Sequence, residues 1–171
     1  KAIKLVDIVA NEDNVTNIID GQGDSDTVSY VNYTTNGVRI NLSTTNAQTI
    51  TTGDIDTITN IENVVGSELN DYIKGNDSAN TLDGKTGNDY LVGLDGADRL
   101  LGGLGVDTAD YSTGSAAVVI DLTKSQTSTV LSTYRVSNDG YGNKEYIDGV
   151  ENIITGSGDD IVYGDDQINK I

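Results

Sequence analysis

From Gly66 to Asp110 the chain repeats every nine residues without a gap, and this period constrains the fold more than any other feature. The units are GSELNDYIK, GNDSANTLD, GKTGNDYLV, GLDGADRLL and GGLGVDTAD. Position one is always Gly, position six is an acid or its amide (Asp71, Asn80, Asp89, Asp98, Asp107), and position eight is apolar (Ile73, Leu82, Leu91, Leu100, Ala109). Position four becomes Gly in the last three units, as Gly87, Gly96 and Gly105. A Gly-rich half turns tightly and aims carbonyls at one point. The remaining three residues make a short strand, in which only position eight points inward. One inward residue in nine makes no core alone, but stacked coils align these residues into a thin apolar column, as in a solenoid. If two units make one coil, loops 18 residues apart share an edge. Asp71, Asp89 and Asp107 then line one edge, and Asn80 and Asp98 the other.

Composition agrees with a thin core. The chain has 171 residues and a net charge of −17, and it contains no Phe, Trp or Met and only nine Tyr. Such an acidic chain stays open unless cations neutralise it. The charge disfavours nucleic acid, which needs a basic footprint, and anionic membranes for the same reason. No apolar run approaches the ~18 residues that span a bilayer. With no Cys there is no disulfide or thiolate zinc site, and with no His the commonest metal ligand is missing. Stacked carboxylates repel unless a cation lies between them, and calcium, which takes ~6–8 hard oxygens, suits the ligands present.

GGLGVD, GLDGAD and GKTGND resemble the G-G-x-G-x-D-x-U-x nonapeptide of the repeats-in-toxin (RTX) family, whose members form calcium-binding parallel β-rolls. The resemblance implies that each site takes carbonyls from positions two and four and the Asp of one loop. The loop 18 residues later adds carbonyls from positions one and three and its own Asp. One site then uses the carbonyls of Lys85, Gly87, Gly102 and Leu104 with Asp89 and Asp107. A second uses those of Ser67, Leu69, Gly84 and Thr86 with Asp71 and Asp89. The opposite edge uses those of Asn76, Ser78, Gly93 and Asp95 with Asn80 and Asp98. The first two units depart from the pattern, with Leu69 and Ser78 at position four and an uncharged Asn80. The Asp89/Asp107 site ranks strongest and the Asn80/Asp98 site weakest. GQGDSD (21–26) and GSGDD (156–160) resemble partial loops around Asp26 and Asp160.

A longer duplication surrounds this run. DTVSY (26–30) answers DTADY (107–111), VRINL (38–42) answers VVIDL (118–122), and IENVVGS (61–67) answers VENIITGS (150–157). The offset grows from 81 or 80 to 89, so the second copy has a longer middle. The expected architecture is all-β: a parallel β-roll with antiparallel hairpin arms that pack beside the roll or extend its sheets, forming a single module over 1–171. Roll segments are expected at about 7–29, 61–110 and 150–171, with arms at about 30–60 and 111–149. Val38, Ile40 and Leu42, and likewise Val118, Ile120 and Leu122, alternate with polar residues as half-buried strands do. SNDGYGNKEY (137–146) reads as an exposed Gly-rich loop. The chain opens at Lys1 without Met and reads as a piece of a longer array.

Competing motifs are weaker. Gly84-Lys85-Thr86 ends like a phosphate loop, but Ala79 stands where that motif needs Gly and no helical period follows. No EF-hand string occurs. Acid pairs such as Asp159-Asp160 are expected in so acidic a chain, and the NVT, NYT and NLS triplets in one so rich in Asn and Thr. The expected function is a non-catalytic module that folds on several calcium ions, roughly four to eight of which would offset much of the charge. Its partners are calcium and the neighbouring repeats of the same chain, with a surface or polysaccharide ligand as a further one. The resemblance also implies a large bacterial protein exported by type I secretion and folded outside the cell, and the Thr/Asn-rich arms and apparent array look most like a surface adhesin or similar cell-surface protein. The alternative is an accessory module of a secreted protease, lipase or alginate epimerase.

Overall fold

The computed structural model describes residues 8–9, 16–123, 135–166 and 170–171, all strand, turn or irregular chain. Two parallel sheets form the roll. The first runs β1 (Ile8–Val9), β3 (Thr27–Ser29), β7 (Asn63–Val65), β9 (Thr81–Asp83), β11 (Arg99–Leu101), β15 (Tyr146–Asp148). The second runs β4 (Arg39–Asn41), β8 (Tyr72–Lys74), β10 (Tyr90–Val92), β12 (Thr108–Asp110), β16 (Asn152–Ile154). From β7 to β12 successive strands alternate between the sheets, so two nonapeptides make one coil. Tyr72 pairs with Tyr90 and Tyr90 with Thr108, which is the 18-residue register the period predicts.

That register stacks every position eight. Val28, Val64, Leu82, Leu100 and Ile147 are mutual partners on one sheet, and Ile40, Ile73, Leu91, Ala109 and Ile153 on the other. All ten are buried. Each aliphatic side chain contributes roughly 1.5–3 kcal/mol of burial, less for Ala109, so the column is the main source of cohesion.

Two smaller sheets come from the arms. β2 (Asn17–Asp20) pairs in parallel with β6 (Asp54–Thr59), which forms an antiparallel hairpin with β5 (Gln48–Thr51). β13 (Val118–Asp121) pairs antiparallel with β14 (Val136–Asp139) and parallel with β17 (Ile161–Tyr163). The hairpins are therefore present, and Val38, Ile40, Val118, Ile120 and Leu122 are buried as the alternation predicts.

Parts of both arms extend the roll sheets. β4 and β15 lie inside the expected arms but belong to the roll sheets, where they pair with β8 and β11. Residues 137–146 are also not a simple exposed loop, because Asp139 and Glu145 are fully buried. GYGNKEYID (140–148) is a nonapeptide with Glu at position six, and it resumes the roll after the inserted arm.

Candidate metal centre

The position-six residues form two ladders, one along each edge of the roll. Most of these carboxylates accept a hydrogen bond from the backbone N–H at the same position one coil earlier, whereas Asn80 instead donates its Nδ2 to the Glu62 carbonyl. On one edge Asp71 Oδ1 accepts from Val38, Asp89 Oδ1 from Asp71, Asp107 Oδ1 from Asp89 and Glu151 Oε2 from Asp107, all at 2.8 Å. On the other edge Glu62 Oε2 accepts from Asp26 at 2.9 Å and Asp98 Oδ1 from Asn80 at 2.8 Å, while Glu145 lies against Asp98. Asp160 Oδ1 makes the same bond to Val118 in the second arm, at 2.8 Å. Position-one Gly leaves room for this fold-back: a Cβ on Gly84 would come within 2.7 Å of Asp89 Cγ, and one on Gly102 within 2.6 Å of Asp107 Oδ2.

The second oxygen of each carboxylate separates the loops into two kinds. Around Asp71, Ser67 N–H donates to Oδ2 and Ser67 Oγ to Oδ1, both at 2.7 Å. Around Asn80, Asn76 N–H donates to Oδ1 at 2.8 Å, and Asn80 Nδ2 donates to the Glu62 carbonyl at 3.0 Å. These two loops close on their own position six. In the loops of Asp89, Asp98, Asp107 and Asp26 the Oδ2 atom is buried and has no partner.

The backbone explains the difference. Positions two and four have positive φ in all four of these loops: Lys85 (78°) and Gly87 (122°), Leu94 (77°) and Gly96 (136°), Gly103 (108°) and Gly105 (146°), Gln22 (69°) and Asp24 (75°). The N–H of Lys85 then turns away to Asp83 Oδ1 at 3.2 Å, and that of Gln22 to Asp20 Oδ1 at 3.0 Å. The carboxylate is left open.

Burial raises Asp89, Asp98 and Asp107 above the ordinary carboxylate value. It takes Asp89 to about 7, with Asp71, Asp107 and Asp83 adding charge repulsion against the hydrogen bond from Asp71 N–H. Burial takes Asp107 to about 6, with Glu151 adding to it. Asp98 and Glu145 are both raised, burial being the largest cause; Asp139 adds repulsion to each and Asp98 adds it to Glu145, while hydrogen bonds from Asn80 N–H and with Glu145 hold Asp98 back. Asp71 is raised by burial and held back by its Ser67 and Val38 hydrogen bonds. No basic side chain is among the main contributors to these shifts.

The remaining sequence-derived positions fall along the same edges. Leu104 N–H donates to the Lys85 carbonyl and Gly87 N–H to the Leu104 carbonyl, both at 2.9 Å, so the loops of Asp89 and Asp107 are zipped together. Each carbonyl keeps a second lone pair. The Leu69 and Ser78 carbonyls face Gly87 and Gly96, where a Cβ would lie 2.6 and 2.7 Å from them. Thr86 Oγ1 donates to the Glu68 carbonyl at 2.9 Å. Asp95 is exposed and accepts from Asn143 Nδ2 at 2.7 Å. Gly84, Gly93 and Gly102 are buried position-one residues, as are Gly66 and Gly75. Among the described residues no three acidic side chains converge on one point, so a cation here would depend on backbone carbonyls.

The sequence reading missed Glu62, Glu145 and Glu151 as rungs. The signal was available, because each immediately precedes a three-residue strand, but Glu replaces Asp there. Buried, half-satisfied carboxylates beside carbonyl-rich turns fit a hard divalent cation, since every donor is oxygen.

A parallel β-roll with such loops along both edges belongs to the class of cation-binding solenoids. Within that class, residues 60–91, 74–109 and 147–169 match the RTX calcium-binding nonapeptide repeat (4 copies). These segments carry the RTX repeat, which is a calcium-binding module rather than a catalytic one. No curated protein matches the chain.

Proposed function

We propose that this chain is a non-catalytic module whose folding is driven by calcium outside the cell, within a large secreted bacterial protein of the adhesin type. The carrying observation is the set of four buried oxygens without partners, on Asp26, Asp89, Asp98 and Asp107, each in a loop with positive φ at positions two and four. The best-formed site uses the carbonyls of Lys85, Gly87, Gly102 and Leu104 with Asp89 and Asp107. Asp98 and Asp26 head further sites. Asp71 and Asn80, satisfied by their own loops, have the weaker claim, as does Asp160.

Binding energy at these loops is folding energy, because the carboxylates otherwise repel and are desolvated without compensation. RTX repeats are typical of secreted bacterial proteins, and a chain without Cys needs no oxidative step to fold after export. The Thr- and Asn-rich arms, rather than any catalytic constellation, support the adhesin reading. Circular dichroism during a calcium titration, with magnesium as control, tests the module. β-signal should appear cooperatively with calcium; a fold equally stable in chelator would overturn the proposal.

A further inference from the structure

The first arm buries two carboxylates outside the Gly-headed nonapeptides. Asp54 and Asp56 are two apart on β6 and share a face, and that face is inward: both are 0 % exposed, whereas Ile55 between them is 39 % exposed. Hiding the acids and exposing the isoleucine inverts the usual preference of a strand. Removing two carboxylates from water is strongly unfavourable unless they are compensated.

Part of the compensation is visible. Tyr33 Oη donates to Asp54 Oδ2, and Asn17 N–H donates to Asp56 Oδ1 at 3.1 Å. Asp54 Oδ1 has no hydrogen-bond partner, nor does the hydroxyl of Tyr30, which is 0 % exposed. The Tyr30 hydroxyl is held well above its ordinary pKa, first by burial and then by Asp56, Tyr33 and Asp54. It therefore lies in the field of both carboxylates.

The other copy carries a related arrangement. The duplication sets Tyr30 opposite Tyr111 and Asp56 opposite Glu145. Tyr111 Oη donates to Glu145 Oε2 at 2.9 Å, and Glu145 Oε1 is buried without a partner. A buried tyrosine beside buried acids, with one carboxylate oxygen left open, thus recurs where each arm joins the roll.

We propose that Asp54 and Asp56, with the Tyr30 hydroxyl, form a divalent-cation site in the first arm, separate from the nonapeptide loops. The donors are all hard oxygens in irregular geometry, which suits calcium, with its longer bonds and flexible coordination, better than magnesium. The ion would pin β6 to the segment after β3 and hold the hairpin against the roll.

The test is the number of calcium ions bound per full chain, measured by equilibrium dialysis. Asp54→Asn, close in shape but uncharged, should lose one ion, while Asp89→Asn, in a loop, should weaken a different one. An unchanged ion count in Asp54→Asn overturns the proposal and leaves the loop reading intact. If that variant does not fold, anomalous diffraction from wild-type crystals grown with terbium decides. A peak between Asp54 and Asp56 supports the site. Peaks at Asp89 and Asp107 with none here overturn it, and no peak anywhere overturns both readings.

Discussion

The loops of residues 66–71 and 75–80 and those of 84–89, 93–98 and 102–107 hang from the same two sheets in one unbroken register, yet they use their position-six groups differently. In the first pair the N–H of Ser67 or Asn76 turns inward onto its own Asp71 or Asn80. In the other three, positive φ at positions two and four leaves a buried oxygen on Asp89, Asp98 and Asp107. Asp71, of the first kind, and Asp89 and Asp107, of the second, all make the ladder bond to the preceding coil, so it belongs to the fold. The open oxygen belongs to the ligand. Position four separates the two kinds: Leu69 and Ser78 on one side, and Gly87, Gly96 and Gly105 on the other.

The sharpest way to break this contrast is Gly87→Ala. Its φ of 122° and the Leu69 backbone 2.6 Å from a Cβ leave no relaxed position. A loss of roughly 1–3 kcal/mol is expected from backbone strain alone. Ser78→Ala, at the same position in an exposed loop of the first kind, should stay within about 0.5 kcal/mol. Thermal melting in calcium compares the two.

Asp89→Asn against Asp71→Asn comes next. The first should weaken calcium binding at least ~10-fold, an effect of about 1.4 kcal/mol. The second should lower stability with and without calcium while leaving the ion count unchanged. Calorimetric titration separates these outcomes, and equal losses of affinity would remove the distinction between the loops.

Acid should act on the open loops without calcium. The folded-state values of about 7 for Asp89 and about 6 for Asp107 lie above the ordinary 3.8, so the folded chain binds more protons than the unfolded chain between these limits. This contribution to stability is fully present below about pH 4. It is lost as pH rises through 6–7. Melting in chelator should therefore occur at higher temperature at pH 5 than at pH 8, and calcium added near pH 6 should release protons.

The smallest effect is a gain. Ser78→Gly with Asn80→Asp gives the second unit the chemistry of the third, and one additional weakly bound ion is expected by dialysis.

Much of this was legible locally. A period of nine fixes which residue points inward and which loops share an edge, and Ile73, Leu82, Leu91, Leu100 and Ala109 stack as that period requires. The divide at Gly84 was also visible at position four. Hidden in the sequence were the returns of the chain. β4 joins β8 across 33 residues and β15 joins β11 across 47, because each coil end presents free strand edges that any segment with an apolar middle residue can satisfy. Glu62, Glu145 and Glu151 entered the ladders for a related reason, since an N–H at the edge needs a carboxylate and a longer side chain reaches it as well as Asp does.

The sequence by itself determined the coil: its length, its inward column and its acidic edges, all of which depend on residues a few positions apart. The tertiary structure alone decided which oxygens remain open and where Asp54, Asp56 and Glu145 are buried. Those outcomes depend on the neighbouring coil, whose position is set by hydrogen bonds across the sheet and not by the local period.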